Sequence, residues 1–220
     1  ERAGFHHQKR KLATRKEDIF KEVKEKEVKE NDEDKVINKG GEPFYTLKLA
    51  AEAGIDVESP EPDIKEEIQF LVEQGFSKED IFTYYIYRQA DQYHRSVGKP
   101  LLPIEEYLQP TIKEFQESSN WKNFDYSIDH IKEIGKKVWG NKRGDISRRD
   151  KSRTDPVPRP SLKKKWKRVN EVSQQSSYFR DNYIIQRIQE VLKEKDRLFI
   201  VFGSSHAYMQ EPTLRKLFEE

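Results

Sequence analysis

Apolar positions along the chain recur first at helical spacing. Between Asp63 and Gln74, the residues Ile64, Ile68, Leu71 and Val72 fall on one side of a helix. Ser77, with Asp80 three residues on, is a helix-start signal, and the helix it opens runs through IFTYYIYRQADQYHR, residues 81–95. The same period predicts helices over Ile104–Ser118 and Ser127–Val138, a long one over about Lys165–Lys195, and a short one at the end of the chain. Two stretches break the period. Leu198–Phe202 is continuously apolar and rich in β-branched and aromatic residues, which predicts a buried parallel strand. IDVES, residues 55–59, reads as a shorter strand after a helix that starts near Pro43 and stops at Gly54. Helix and strand in succession predict an α/β fold: a small, mainly parallel sheet with residues 63–139 as a large helical insertion.

The flanking segments have a different texture. KEDIFKEVKEKEVKE, residues 16–30, has few apolar anchors and many i,i+4 Lys/Glu pairs, as an exposed helix would. The expected organisation is a charged peripheral segment, 1–39, followed by a single α/β domain, 40–220, with a basic linker at 140–165. There is no internal repeat.

Composition narrows the classes. Twelve Phe, ten Tyr and three Trp supply a core. The absence of cysteine excludes disulfides, thiolate metal sites and a cysteine nucleophile, and favours a reducing, cytoplasmic setting. No apolar run is long enough to span a membrane. A formal net charge of +2 gives no whole-molecule field to select a polyanion. Residues 142–168 are the densest basic run, with twelve Lys/Arg against three Asp. Trp166 is the one aromatic there, so a solvated loop is preferred over nucleic-acid contact.

The candidate chemistry sits near the C-terminal end of the chain. The apolar run ends on Gly203, and His206 follows three residues later. Open α/β sheets bind ligands beyond the carboxyl ends of their strands, which is where His206 would stand. In the preceding helix Arg180 shares a face with Ile184, Ile188 and Val191, so its guanidinium points inward. It needs a carboxylate partner or an anionic ligand, and the two roles stay open. The helix climbs about 21 Å after Arg180. A strand from Arg197 returns about 20 Å, bringing His206 level with Arg180 across one crevice. Ser204 and Ser205 lack the Gly-x-Ser-x-Gly setting of a serine nucleophile.

Residues 178–217 resemble the C-terminal signature of the TraB/Tiki-like superfamily. This group includes TraB/PrgY-type proteins, Tiki proteases, ChaN-like haem-binding proteins and erythromycin esterases. The resemblance rests on Arg180-Asp181 in a helix, the apolar run Leu198–Phe202, Gly203-Ser204-Ser205-His206, and a following helix. GGEPFYTLKLAAEAGIDVESPEPD, residues 40–63, is similar to a second segment of that family, from Glu42 to Glu61-Pro62. The family also has an N-terminal strand ending in another Gly-x-x-His and a strand ending in an acidic residue. Gly4-Phe5-His6-His7 has the letters but no apolar strand before it. On this reading Glu1 is the acidic strand end, and the first strand is expected upstream of it.

The resemblance implies a site of two histidines, a glutamate and an arginine. It makes His206 a metal ligand or general base and Arg180 an anion stabiliser. Glu42 or Glu1 is then the acidic partner, with Glu61 as a further candidate. A metal would be held by His206 and Glu1, and such ligands suit Mn, Co or Zn. Without metal, His or Glu would activate water for hydrolysis of an ester or peptide. The alternative is a non-catalytic binder of haem or a small molecule, as ChaN-like members are. A third reading is a protein whose basic loop makes interactions.

Overall fold

The computed structural model describes residues 45–94, 102–157, 164–202 and 210–216. The chain forms two compact units, Glu61–Ile184 and a second made of Glu1–Pro60 with Ile185–Glu220. The first unit is helical: α1 (Ile64–Glu73), α2 (Lys78–Tyr93), α3 (Ile104–Ser119), α4 (Ile128–Trp139), a 3-10 turn at Lys151–Arg153, and the part of α5 (Lys164–Leu192) that ends at Ile184.

Helix boundaries follow local chemistry. Asp63 caps α1 by accepting from the Lys65 amide at 2.8 Å. Ser77 and Asp80 form a reciprocal capping box at the start of α2, with the Asp80 amide donating to Ser77 Oγ at 3.1 Å. Ser127 caps α4 through the His130 amide. α3 runs through Pro110, which lacks the N–H that would bond the carbonyl one turn back.

α2 is the centre of the unit. Ile81, Phe82, Tyr84, Tyr85, Ile86, Tyr87 and Ala90 are all buried, so the helix is enclosed on nearly every side. It touches α1, α3 and α4. Phe82 lies 5.2 Å from Phe115 of α3 and edge-on to Phe124 and Tyr126 of the following loop. Tyr87 meets Trp139 of α4 at 4.8 Å between ring centres. α5 buries Val169, Val172, Ser173 and Ser176 at helical spacing.

The basic segment after α4 is folded against this core. Arg153 is fully buried and bonds Asp91 of α2, also fully buried, at 3.0 Å. Its Nη1 donates to the carbonyls of Arg143 and Asp145, and its Nη2 also donates to that of Arg148. Four guanidinium N–H groups are thus used, and Nε–H has no partner among the described residues. The guanidinium lies 4.7 Å from the centre of the Tyr87 ring. α5 closes the arrangement: Asn170 Nδ2 donates to the carbonyls of Ser152 and Asp155, and Ser173 Oγ to that of Thr154.

No strand occurs among the described residues, so the expected α/β fold with a parallel sheet is corrected to an all-α arrangement. Leu198–Phe202 is not a strand, and Phe199 is 84% exposed. An apolar run has strand propensity, but a ladder needs a neighbouring strand, and none is described. Residues 55–59 carry no ladder either. Instead they carry ion pairs within their unit: Glu58 accepts from Nε and Nη2 of Arg187, and Asp56 faces Lys195.

Two glycines set how closely the loop approaches α4. A Cβ on Gly144 would lie 2.2 Å from the Gly135 carbonyl oxygen, and one on Gly135 would lie 1.7 Å from the Tyr87 hydroxyl. Both contacts are with buried, well-held atoms. Gly144→Ala is therefore expected to destabilise the protein by about 1–3 kcal/mol in urea denaturation, through forced separation of two backbones. A midpoint unchanged from the parent would contradict the close approach.

Arg153→Met is expected to cost about 3–5 kcal/mol, since it leaves the Asp91 carboxylate buried without its cation. Joint replacement, Asp91→Leu with Arg153→Met, should recover part of the loss. Equal denaturation midpoints for Arg153→Met and the parent would show that the pair is not closed in solution.

Candidate functional site

Where α1, α2 and α5 meet, polar side chains penetrate an otherwise apolar interior. Ser176 is fully buried and donates to Glu67 Oε1 at 2.5 Å. Its proton being used there, the Tyr84 hydroxyl donates to Ser176 Oγ at 2.8 Å and accepts from Arg88 Nη1 at 3.3 Å. The result is a directed chain: Arg88, Tyr84, Ser176, Glu67. The neighbouring Tyr85 hydroxyl is buried beside Glu67 and makes no well-formed hydrogen bond among the described residues. Burial first, and then the negative charge of Glu67, push its pKa well above the usual tyrosine range. Tyr85 therefore stays neutral throughout the physiological range.

Beside this chain lies the Arg180 guanidinium. Nε donates to Glu61 Oε2 at 2.9 Å and Nη2 to Oε1 at 2.7 Å, a two-pronged pairing. The two side chains differ in access: Arg180 is 13% exposed and Glu61 40%. Burial works against the charge on Arg180, but the hydrogen bonds and negative charge of Glu61 outweigh it and hold its pKa above the usual arginine value. Arg180 is thus a permanent cation with a carboxylate that solvent can reach.

The inward direction of Arg180 predicted from the helical period agrees with its low exposure, and of the two roles left open the carboxylate partner is the one observed. That partner is Glu61, which the sequence reading ranked below Glu42 and Glu1. His206, Glu42 and Glu1 lie outside the described residues, and with them the shared crevice of Arg180 and His206. Among the described residues, no group of three or more His, Asp or Glu is placed to hold a metal ion, and the two expected ligands, His206 and Glu1, are not among them.

Sequence reasoning missed the Glu67–Ser176–Tyr84 chain and the Asp91–Arg153 pair. A signal existed for each. Glu67 stands directly before Ile68 and one turn before Leu71 on the apolar side of α1. Asp91 follows Ala90 and lies one turn beyond Tyr87 on a helix that is apolar nearly all round. A carboxylate on such a face announces a buried partner.

Comparison with protein-family models, with curated proteins and with solved structures finds no match.

Acid should loosen the loop after α4. Burial alone would raise the Asp150 pKa, but the Ser152 hydroxyl and the Arg143 guanidinium together hold it below the usual aspartate value. A depressed carboxylate contributes stability that is present above its unfolded pKa and lost as pH falls through the folded one. Stability should therefore decline below about pH 4, and Asp150→Asn should reduce that decline. Parallel melting curves against pH for the two proteins would contradict it.

Proposed function

We propose that this chain is a hydrolase of the TraB/Tiki type, acting on an ester or peptide. His206 is its general base or metal ligand, and Arg180 is its anion-binding group. One observation carries the reading furthest: Arg180 and Glu61, from the two segments that resemble that superfamily, are joined by a two-pronged ion pair. A guanidinium held by an accessible carboxylate is ready for exchange. An anionic substrate group, or an oxyanion forming during hydrolysis, presents the same two oxygens and can take the place of Glu61. A divalent ion bound by His206 would supply an activated water, and in its absence the neutral imidazole would accept the proton.

The test is turnover of a panel of ester and peptide substrates, with and without Mn²⁺, Co²⁺ or Zn²⁺. His206→Ala should abolish hydrolysis and leave the melting temperature nearly unchanged. Arg180→Lys keeps the charge but loses the fork, and should raise KM more than it lowers kcat. Full activity in His206→Ala would overturn the reading. Tight haem binding by the parent with no turnover would move it to the ligand-binding alternative.

A further inference from the structure

The geometry points to Arg88 as a second anion-binding group of the Arg180 site, one that makes the site selective for a ligand with two separated carboxylates. The substrate class is then a dicarboxylate ester or an acidic peptide. This rests on the proposed role of Arg180 as an anion-binding group and adds the substrate class to it.

The two arginines flank one contact. Tyr84 of α2 and Ser176 of α5 are joined at 2.8 Å. Arg88 lies one turn beyond Tyr84 and Arg180 one turn beyond Ser176, so each stands on the side of its helix that makes this contact. Arg88 Nη1 donates to the Tyr84 hydroxyl at 3.3 Å, and its guanidinium lies 5.9 Å from the centre of the Tyr84 ring. Arg180 lies within electrostatic reach of Tyr84 and of Glu67, both members of the same polar chain. All of these groups belong to the helical unit Glu61–Ile184.

The two cations are satisfied differently. Arg180 commits Nε and Nη2 to the Glu61 carboxylate. Arg88 is half-buried, yet it forms no ion pair among the described residues, and its one hydrogen bond there goes to Tyr84. Four of its five N–H groups are left for another acceptor. Glu67 accepts from Ser176, not from Arg88. Glu61 bonds Arg180 and not Arg88, so one carboxylate in the place of Glu61 leaves Arg88 as it is. A second carboxylate on the same molecule gives Arg88 the anion it lacks. Glu61 itself shows that the Arg180 fork takes a carboxylate. Two forks on two helices match two separated carboxylates better than the single charge centre of a phosphate.

The experiment is a ligand-observed NMR titration of the full chain with malonate, succinate, glutarate and adipate, against butyrate, at constant ionic strength. The dicarboxylate of best-matched length should bind at least about tenfold more tightly than butyrate. Arg88→Gln should bring that ratio close to one, and Arg88→Lys, which keeps the charge, should keep part of it. The ratio is taken within each variant, so a change in stability leaves it intact. Glu61→Gln removes the competing carboxylate and should tighten both classes of ligand alike. Lys113→Gln, at an exposed position of α3, should bind like the parent. The readout needs no turnover and is independent of whether His206 supports hydrolysis. Equal binding of butyrate and every dicarboxylate by the parent, or an unchanged ratio in Arg88→Gln, would overturn the inference and leave the role of Arg180 standing. Binding of neither class, by the parent or by Glu61→Gln, would overturn both. Inorganic phosphate binding more tightly than every dicarboxylate would overturn the assignment of substrate class.

Discussion

One buried ion pair holds the helical unit in its observed form. Asp91 and Arg153 are both without solvent contact, and each is surrounded by polar groups that serve it. Asp91 accepts from Arg153, from the Thr154 hydroxyl and from the Asp150 amide. Arg153 collects three carbonyls from the loop and so fixes its turn against α2. Such a pair is not in itself a large source of stability, because desolvating two charges offsets most of their attraction. Its effect is selective: any conformation in which the loop leaves α2 strands a carboxylate in an apolar interior.

That constraint shapes what lies around it. α2 carries aromatic residues on nearly all sides, and a helix of this kind must be covered all round. α1, α3 and α4 cover most of it, and the loop after α4 adds Ile146, which is buried. Tyr87 connects the two layers, with its ring under Arg153 and its hydroxyl donating to the Gly144 carbonyl. The same aromatic helix also presents Tyr84 to Ser176 of α5. The polar chain beside Arg180 and the lock on the basic loop therefore depend on neighbouring turns of one helix.

Helix placement was legible in the sequence, because periodicity and caps are local. Ser77, Ser127 and Asp63 act where their residue types predict, and the Asp63–Gln74 and Ser127–Val138 segments are helical nearly as read. The lack of strands among the described residues was not legible. Leu198–Phe202 has the residue types of a strand, but hydrogen-bonded pairing is a long-range property that a single segment does not encode. The loop after α4 was read as a linker because Arg, Gly and Pro dominate it. Composition does not show that one arginine out of many, Arg153, would be the buried one. For the candidate site, the inward side of Arg180 came from the helical period, whereas its choice of Glu61 required three-dimensional proximity.

Burial of Arg153 against α2 orders residues 143–153. Amide hydrogen exchange of the intact protein tests it most directly. The amides of Gly144, Arg148 and Arg153 donate to Gly140, Asp145 and Asp150 within this segment. The account predicts that they exchange far more slowly than unstructured chain, and that they lose protection together in a variant lacking the Arg153 guanidinium while the α2 amides keep theirs. Exchange of all three at the rate of an unstructured peptide in the parent protein would contradict it.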